Sequence, residues 1–143
     1  MKWCSAWGIV ALWLVLAGGA VAEQGPIEVE LMVAHLSDEP GGIDARGQKL
    51  HEKLKDQFRY QSLEVLETRT LRLHADQVGS VELPNGKRVR VRPLQLDAAS
   101  ALLAVEVEGA VNTDVRVKNG HLVVIGAERY RGGKLVVSLQ PRW

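Results

Sequence analysis

From Ser62 to the C-terminal Trp143 the chain is written as short alternating segments broken by turn residues, and that pattern leaves few folds open. "LEVLETRTLRLH", "KRVRVRP", "ALLAVEVEG", "TDVRVK" and "KLVVSLQ" each set apolar residues against polar ones. This is the two-residue period of a half-buried strand. Asn85-Gly86 and Asn119-Gly120 supply the positive φ angles that a type I′ turn demands, so each predicts a hairpin. Gly132-Gly133 precedes the last strand, which Pro141 is expected to end. Turn signals about 8–12 residues apart are the spacing of a sandwich or small barrel.

The segment before this β-rich stretch adds one strand and one helix. In "IEVELMVAHL", Ile27, Val29, Leu31 and Val33 fall on one face, which predicts a half-buried strand. "SDEPGGID" reads as a loop because of Pro40, Gly41 and Gly42. Asp44 is placed to cap the next segment, where Leu50, Leu54 and Phe58 recur four apart on one helical stripe. A helix of about 14 residues is marginal alone, so the stripe must dock on the sheet, and Gly47 beneath Leu50 would allow a close approach. The expected fold class is α+β, mainly antiparallel β in seven or eight strands. These form a sandwich or partly closed barrel, with one helix after the first strand.

The N-terminus sets the compartment. Lys2 precedes a charge-free run from Trp3 to Ala22, densest in "IVALWLVL", and small residues then lead to Ala20-Val21-Ala22. A basic start, a short apolar stretch and a small-residue exit describe a secretory signal peptide. The alternative is a retained membrane anchor, since the uncharged run is just long enough to span a bilayer. Cleavage after Ala22 is the expectation, leaving residues 23–143 as a single β-rich domain that is periplasmic or secreted. Its contact with the membrane would be through the signal peptide alone, before cleavage. Cys4, the one cysteine, precedes the apolar run, so it is misplaced for lipidation and leaves with the signal. The domain must then be held by its core without disulfides. Without Lys2 the 18 basic residues become 17, matching 17 acidic ones. Nothing global draws such a domain to nucleic acid.

No motif assembles catalytic chemistry. His51-Glu52 begins a zinc-protease helix, but Lys55 stands where H-E-x-x-H needs its second histidine. His35, His74 and His121 are scattered near strand ends without ligand spacing. Ser80 in "VGSVE" lacks the second glycine of a nucleophile elbow. Asp38, Glu39 and Asp44 lack the oxygen-ligand spacing of a calcium loop. The expectation is a protein that is not an enzyme and takes no cofactor and no metal. The strongest charge feature is "KRVRVR", where alternation puts Arg88, Arg90 and Arg92 on one face and Val89 and Val91 on the other. It is either a basic stripe for an acidic partner or a solvated face paired across strands with Glu106 and Glu108. If the stripe is functional, reversing all three charges should abolish partner capture. "ERYRGG" sets Tyr130 between Arg129 and Arg131, a composition favoured at interfaces.

"NTDVRVKNGHLVVIG" resembles a hairpin segment of secretins, the outer-membrane channel subunits of bacterial secretion and pilus machines. Thr113, Val115, Val117, Asn119, Gly120, Val123, Val124, Ile125 and Gly126 carry the resemblance, and Ala127 replaces a second glycine. A secretin is several times longer, so the chain is not itself one. As a whole it also resembles small exported bacterial envelope proteins with an F-R-Y helix end (Phe58, Arg59, Tyr60) and an L-P-N-G hairpin. These likenesses imply a β-rich envelope module and no particular activity. The leading expectation is therefore a non-catalytic accessory that binds a protein partner in the cell envelope, with an outer-membrane secretion or pilus machine as the candidate assembly. Arg88, Arg90, Arg92, Arg129, Tyr130 and Arg131 are the candidate contacts. The alternative is a small-ligand binder, or a hydrolase, with its pocket between helix and sheet.

Overall fold

The computed structural model describes residues 25–143, so the expected signal peptide, residues 1–22, lies outside the described residues. In chain order the elements are β1 (Ile27–Ser37), a 3₁₀ turn (Ala45–Gly47), α1 (Gln48–Leu54), β2 (Ser62–Leu73) and β3 (Gly79–Glu82). They continue with β4 (Arg88–Leu96), β5 (Ser100–Val107), β6 (Val111–Lys118), β7 (Val123–Tyr130) and β8 (Gly133–Arg142). The strands form two four-stranded sheets, ordered β2-β1-β8-β7 and β3-β4-β5-β6. Every ladder within them is antiparallel. Neither sheet closes on itself, so the architecture is the sandwich rather than the partly closed barrel.

Two apolar clusters follow from the two faces of the first sheet. Ile27, Val29, Leu31 and Val33 turn inward to meet Val89, Val91, Leu103 and Val105 of the second sheet. Met32, Ala34 and Leu36 alternate to the opposite face, where Leu50 and Leu54 of the helix cover them. β1 is thus buried on both sides, and the helix forms a third layer. Leu50 and Leu54 are fully buried, and truncating either to alanine removes about 2–5 kcal/mol of stability. Gly47 is what brings the helix so close: a Cβ there would collide with the Leu63 side chain and press on Val65. Asp44 caps as the sequence predicts, accepting from the Arg46 amide at 3.1 Å. It also accepts from the Val65 amide at 3.2 Å.

Three local expectations need correction. The helix is seven residues rather than about fourteen, because the chain folds back at Leu54, whose carbonyl accepts the amides of both Gln57 and Phe58 at 2.9 Å. In β2, Leu63, Val65, Leu71 and Leu73 do not share a face. The register passes from Val33↔Glu67 to Ala34↔Val65, so Leu66 is an extra residue. A one-residue slip exchanges the faces, sending Leu63 and Val65 to the helix and Leu71 and Leu73 to the other sheet. Third, Asn119-Gly120 does not join a hairpin. β6 lies at the edge of one sheet and β7 at the edge of the other. The turn is held instead by the end of β8: Gly120 donates to the Pro141 carbonyl at 2.8 Å and accepts from Gln140 Nε2 at 2.9 Å. The Asn119 side chain clasps the Trp143 main chain.

The predicted turn at Asn85-Gly86 exists, with different geometry. Only Gly86 has positive φ (82°), and its amide donates to Leu83 O at 2.9 Å. Pro84 presets the first central position of a type I turn, and Gly86 takes the left-handed position after it. The two-residue turn with positive φ at both positions lies elsewhere, at Arg131 (45°) and Gly132 (73°) between β7 and β8.

Candidate functional site

The end of the first sheet carries a groove of about 470 Å³. One wall is the segment after α1, Phe58-Arg59-Tyr60, and the other is the β7–β8 turn from Arg129 to Lys134. The C-terminal end of β1 makes the floor, with Leu36 and Ser37. The sequence marked the F-R-Y stretch and the E-R-Y-R-G-G stretch separately, and the fold brings them together.

Each wall is fixed by identifiable bonds. Gln61 donates its amide to Ser37 O at 2.8 Å, which ties the end of the F-R-Y segment to β1. Tyr60 Oη lies 2.7 Å from His51 Nδ1, with the two rings edge to face at 5.6 Å. Burial, reinforced by the nearby Glu52 carboxylate, pushes the Tyr60 phenol above its ordinary pKa. At neutral pH its hydroxyl therefore keeps its proton and can donate it to Nδ1. On the other wall, His35 Nε2 donates to the Tyr130 carbonyl at 2.8 Å, and its ring meets the Tyr130 ring edge to face at 5.8 Å. These two histidines, read from the sequence as isolated, act as braces. Only folding reveals it, because their partners are 9 and 95 residues away.

Gly133 makes the turn wall possible. A Cβ at this position would overlap the Leu36 carbonyl of the neighbouring strand. Arg131 adopts a left-handed backbone that a long side chain rarely takes. Its guanidinium lies over the Tyr130 ring, 5.2 Å from the centroid. Across the groove, Lys134 Nζ sits 4.6 Å from the centroid of Phe58. Both contacts lie within cation–π range.

The charge balance of the groove is one-sided. Arg59, Arg129, Arg131 and Lys134 line it, with Asp38 as the acidic residue. None of the four takes part in an ion pair among the described residues. The acid of the E-R-Y-R-G-G segment does not compensate them. Glu128 is bound instead by Lys87 Nζ at 3.1 and 3.3 Å and by Asn85 Nδ2 at 3.2 Å, which ties the β3–β4 turn to β7.

The arginine stripe lies elsewhere, on the outer face of the second sheet. Arg88, Arg90 and Arg92 are exposed on β4, while Val89 and Val91 are fully buried, as alternation predicts. Arg90 Nη1 pairs with Glu106 Oε1 at 3.3 Å across the ladder. Glu108 accepts the backbone amide of Arg88 at 3.1 Å rather than its guanidinium, and Arg92 stands opposite Ala104. The six candidate residues thus fall into two places, one whose central arginine is in an ion pair and one whose arginines are in none among the described residues. The space between helix and sheet, suggested for a ligand, is filled by Leu50, Leu54, Leu63 and Val65.

No family model and no curated protein matches the chain. Among solved structures it is similar to the type II secretion system secretin XcpQ from Pseudomonas aeruginosa, at 12% identity and a TM-score of 0.40. That match covers 82% of this chain and 55% of the secretin chain. At such values the likeness is loose and assigns neither fold nor role.

Proposed function

We propose that the protein is a non-catalytic module of the cell envelope that binds another protein through the groove between Phe58–Tyr60 and Arg129–Lys134. The observation that carries this reading is the set of four cations without carboxylate partners among the described residues, around the three half-buried rings of Phe58, Tyr60 and Tyr130. Aromatic residues and arginine are the types that anchor protein interfaces. Unpaired cations leave the free surface ready for an acidic partner and speed the encounter. The groove is open and its cations are spread along two walls. That shape fits an extended chain segment better than a small anion, which needs donors converging on one point. Its exported location rests on the N-terminal sequence. A role beside a secretion or pilus machine rests on the resemblance of residues 112–126 alone.

Crosslinking the protein in its own envelope, followed by mass spectrometry of what is captured, tests the reading. One defined partner crosslinked through the 129–134 turn is the expected result. Capture of nothing specific, with a small molecule retained in native mass spectrometry, would contradict it in favour of ligand binding.

A further inference from the structure

The four sheet edges of this sandwich are not treated alike. An open edge strand offers unpaired backbone donors and acceptors to any other strand, and native proteins blunt it. The outer edge of β2 is partly occupied: Leu63 exchanges backbone hydrogen bonds with Gly42 and Asp44, and the Val65 amide is taken by the Asp44 carboxylate. The extra residue Leu66 breaks the remainder. β3 is four residues long. β7 carries its own extra residue at Ile125, between Val124↔Ser138 and Gly126↔Val137.

β6 has no such interruption, and the charges of Asp114, Arg116 and Lys118 are what guards it against a foreign strand. Its eight residues pair with β5 without a break, from Ser100↔Lys118 to Val107↔Val111. It contains neither glycine nor proline, and Asn112, Thr113, Asp114, Arg116 and Lys118 are all exposed. We infer that β6 is a self-association edge, pairing antiparallel with β6 of a second copy about a two-fold axis at Val115.

The charges select both the partner and the register. Asp114 and Arg116 share the outer face, and neither is in an ion pair among the described residues. Among the described residues the Arg116 side chain donates only to the Ser100 hydroxyl, at 3.1 Å. With the axis at Val115, Asp114 stands opposite Arg116 of the other copy, and the symmetry makes that pair twice. Asn112 then faces Lys118, and Thr113 faces Val117. An axis at 114 would set Asp114 against itself, one at 116 would set Arg116 against itself, and one at 117 would set Arg116 against Lys118. Directly opposed like charges destabilise a strand pair and opposite charges support it. The edge is thus self-complementary in one register, and the two four-stranded sheets containing β6 would join into one continuous sheet. The surface is isologous, as a two-fold dimer requires.

Sedimentation equilibrium of the purified protein across micromolar concentrations should show a monomer–dimer equilibrium. Asp114→Arg and Arg116→Asp should each weaken the dimer by about tenfold or more, and the two together should restore it, since the pairs are then only exchanged. A monomer at every concentration overturns the inference, and so does a dimer indifferent to both single changes. Loss of the dimer in the double variant, with the fold intact by circular dichroism, overturns it as well. A second readout does not depend on charge. Val115→Cys, on a Cys4→Ser background, should oxidise to a disulfide-linked dimer because the two-fold axis puts residue 115 opposite itself. Thr70→Cys on β2 should not. Failure of Val115→Cys to crosslink a protein that sediments as a dimer would place the interface elsewhere.

Discussion

The arginines of β4 and those of the β7–β8 turn meet different surroundings. On β4 they stand on a flat, regular strand, and the neighbouring strand β5 supplies Glu106 to the central one. At the turn they stand on a tight connection with a left-handed residue. The nearest acid in sequence, Glu128, is turned toward Lys87. In a ladder, partners come with the register: β5 sets Glu106 opposite Arg90, whereas β8 sets Lys134 opposite Arg129, and Arg131 lies in the turn itself. The central arginine of the stripe is therefore compensated, while Arg88, Arg92 and the arginines near the turn take part in no ion pair among the described residues. The predictions below set the two regions against each other.

The largest difference concerns glycine. Gly133 has no room for a Cβ against Leu36 O, so Gly133→Ala should cost about 3 kcal/mol through a forced backbone shift. Gly86, at the turn beside the stripe, has open space and only a positive φ. Gly86→Ala should cost about 1 kcal/mol. Urea denaturation measures both, and equal losses would contradict the close approach that shapes the groove.

Asp44, outside both regions, anchors the helix layer through its charge. The Arg46 side chain, aided by the amides of Arg46 and Val65, holds its carboxyl down at about 2 from an ordinary 3.8. A carboxylate whose pKa is lowered by folding adds stability that is present above its unfolded value and lost as pH falls through the folded one. Asp44→Asn should therefore be less stable than the native chain at neutral pH. The gap should close as pH falls from 3.8 toward 2. Thermal denaturation over that window checks it, and a gap unchanged at pH 2 would assign the effect to something other than the charge.

A smaller effect has the opposite sign. Arg131 is in a conformation that asparagine adopts far more readily. Arg131→Asn should stabilise the fold by about 0.5 kcal/mol while weakening partner capture. That pairing of outcomes marks a residue kept for function, and a loss of stability would remove the argument. The smallest effect belongs to the stripe. A double-mutant cycle on Arg90 and Glu106 should return a few tenths of a kcal/mol, about what exposed cross-strand pairs contribute. A coupling several times larger would make the stripe a structural element in its own right.

Much of the architecture was legible because it depends on local periodicity. The alternation of β4 buries Val89 and Val91 and exposes the three arginines as read, and Asp44 and Gly47 do at the helix start what their residue types predict. What escaped depends on contacts distant in sequence. The extra residue at Leu66 exchanges the faces of β2, although the apolar pairs on either side of it, Leu63 with Val65 and Leu71 with Leu73, all fall at odd-numbered positions. The Asn119-Gly120 turn reads as a hairpin because nothing local reports that Pro141, Gln140 and Trp143 hold it. The groove was half visible, as two marked segments about 70 residues apart. Their meeting is set by β1, which pairs with β8 and carries Ser37 to the Gln61 amide.

The central claim is that the groove, rather than the stripe, receives a protein partner. One measurement compares envelope crosslinking yields for two folded variants. The first reverses Arg59, Arg129, Arg131 and Lys134 to glutamate, and the second does the same to Arg88, Arg90 and Arg92. Capture lost in the first and kept in the second is the predicted result. Capture kept in the first and lost in the second would move the binding surface to β4 and contradict the account.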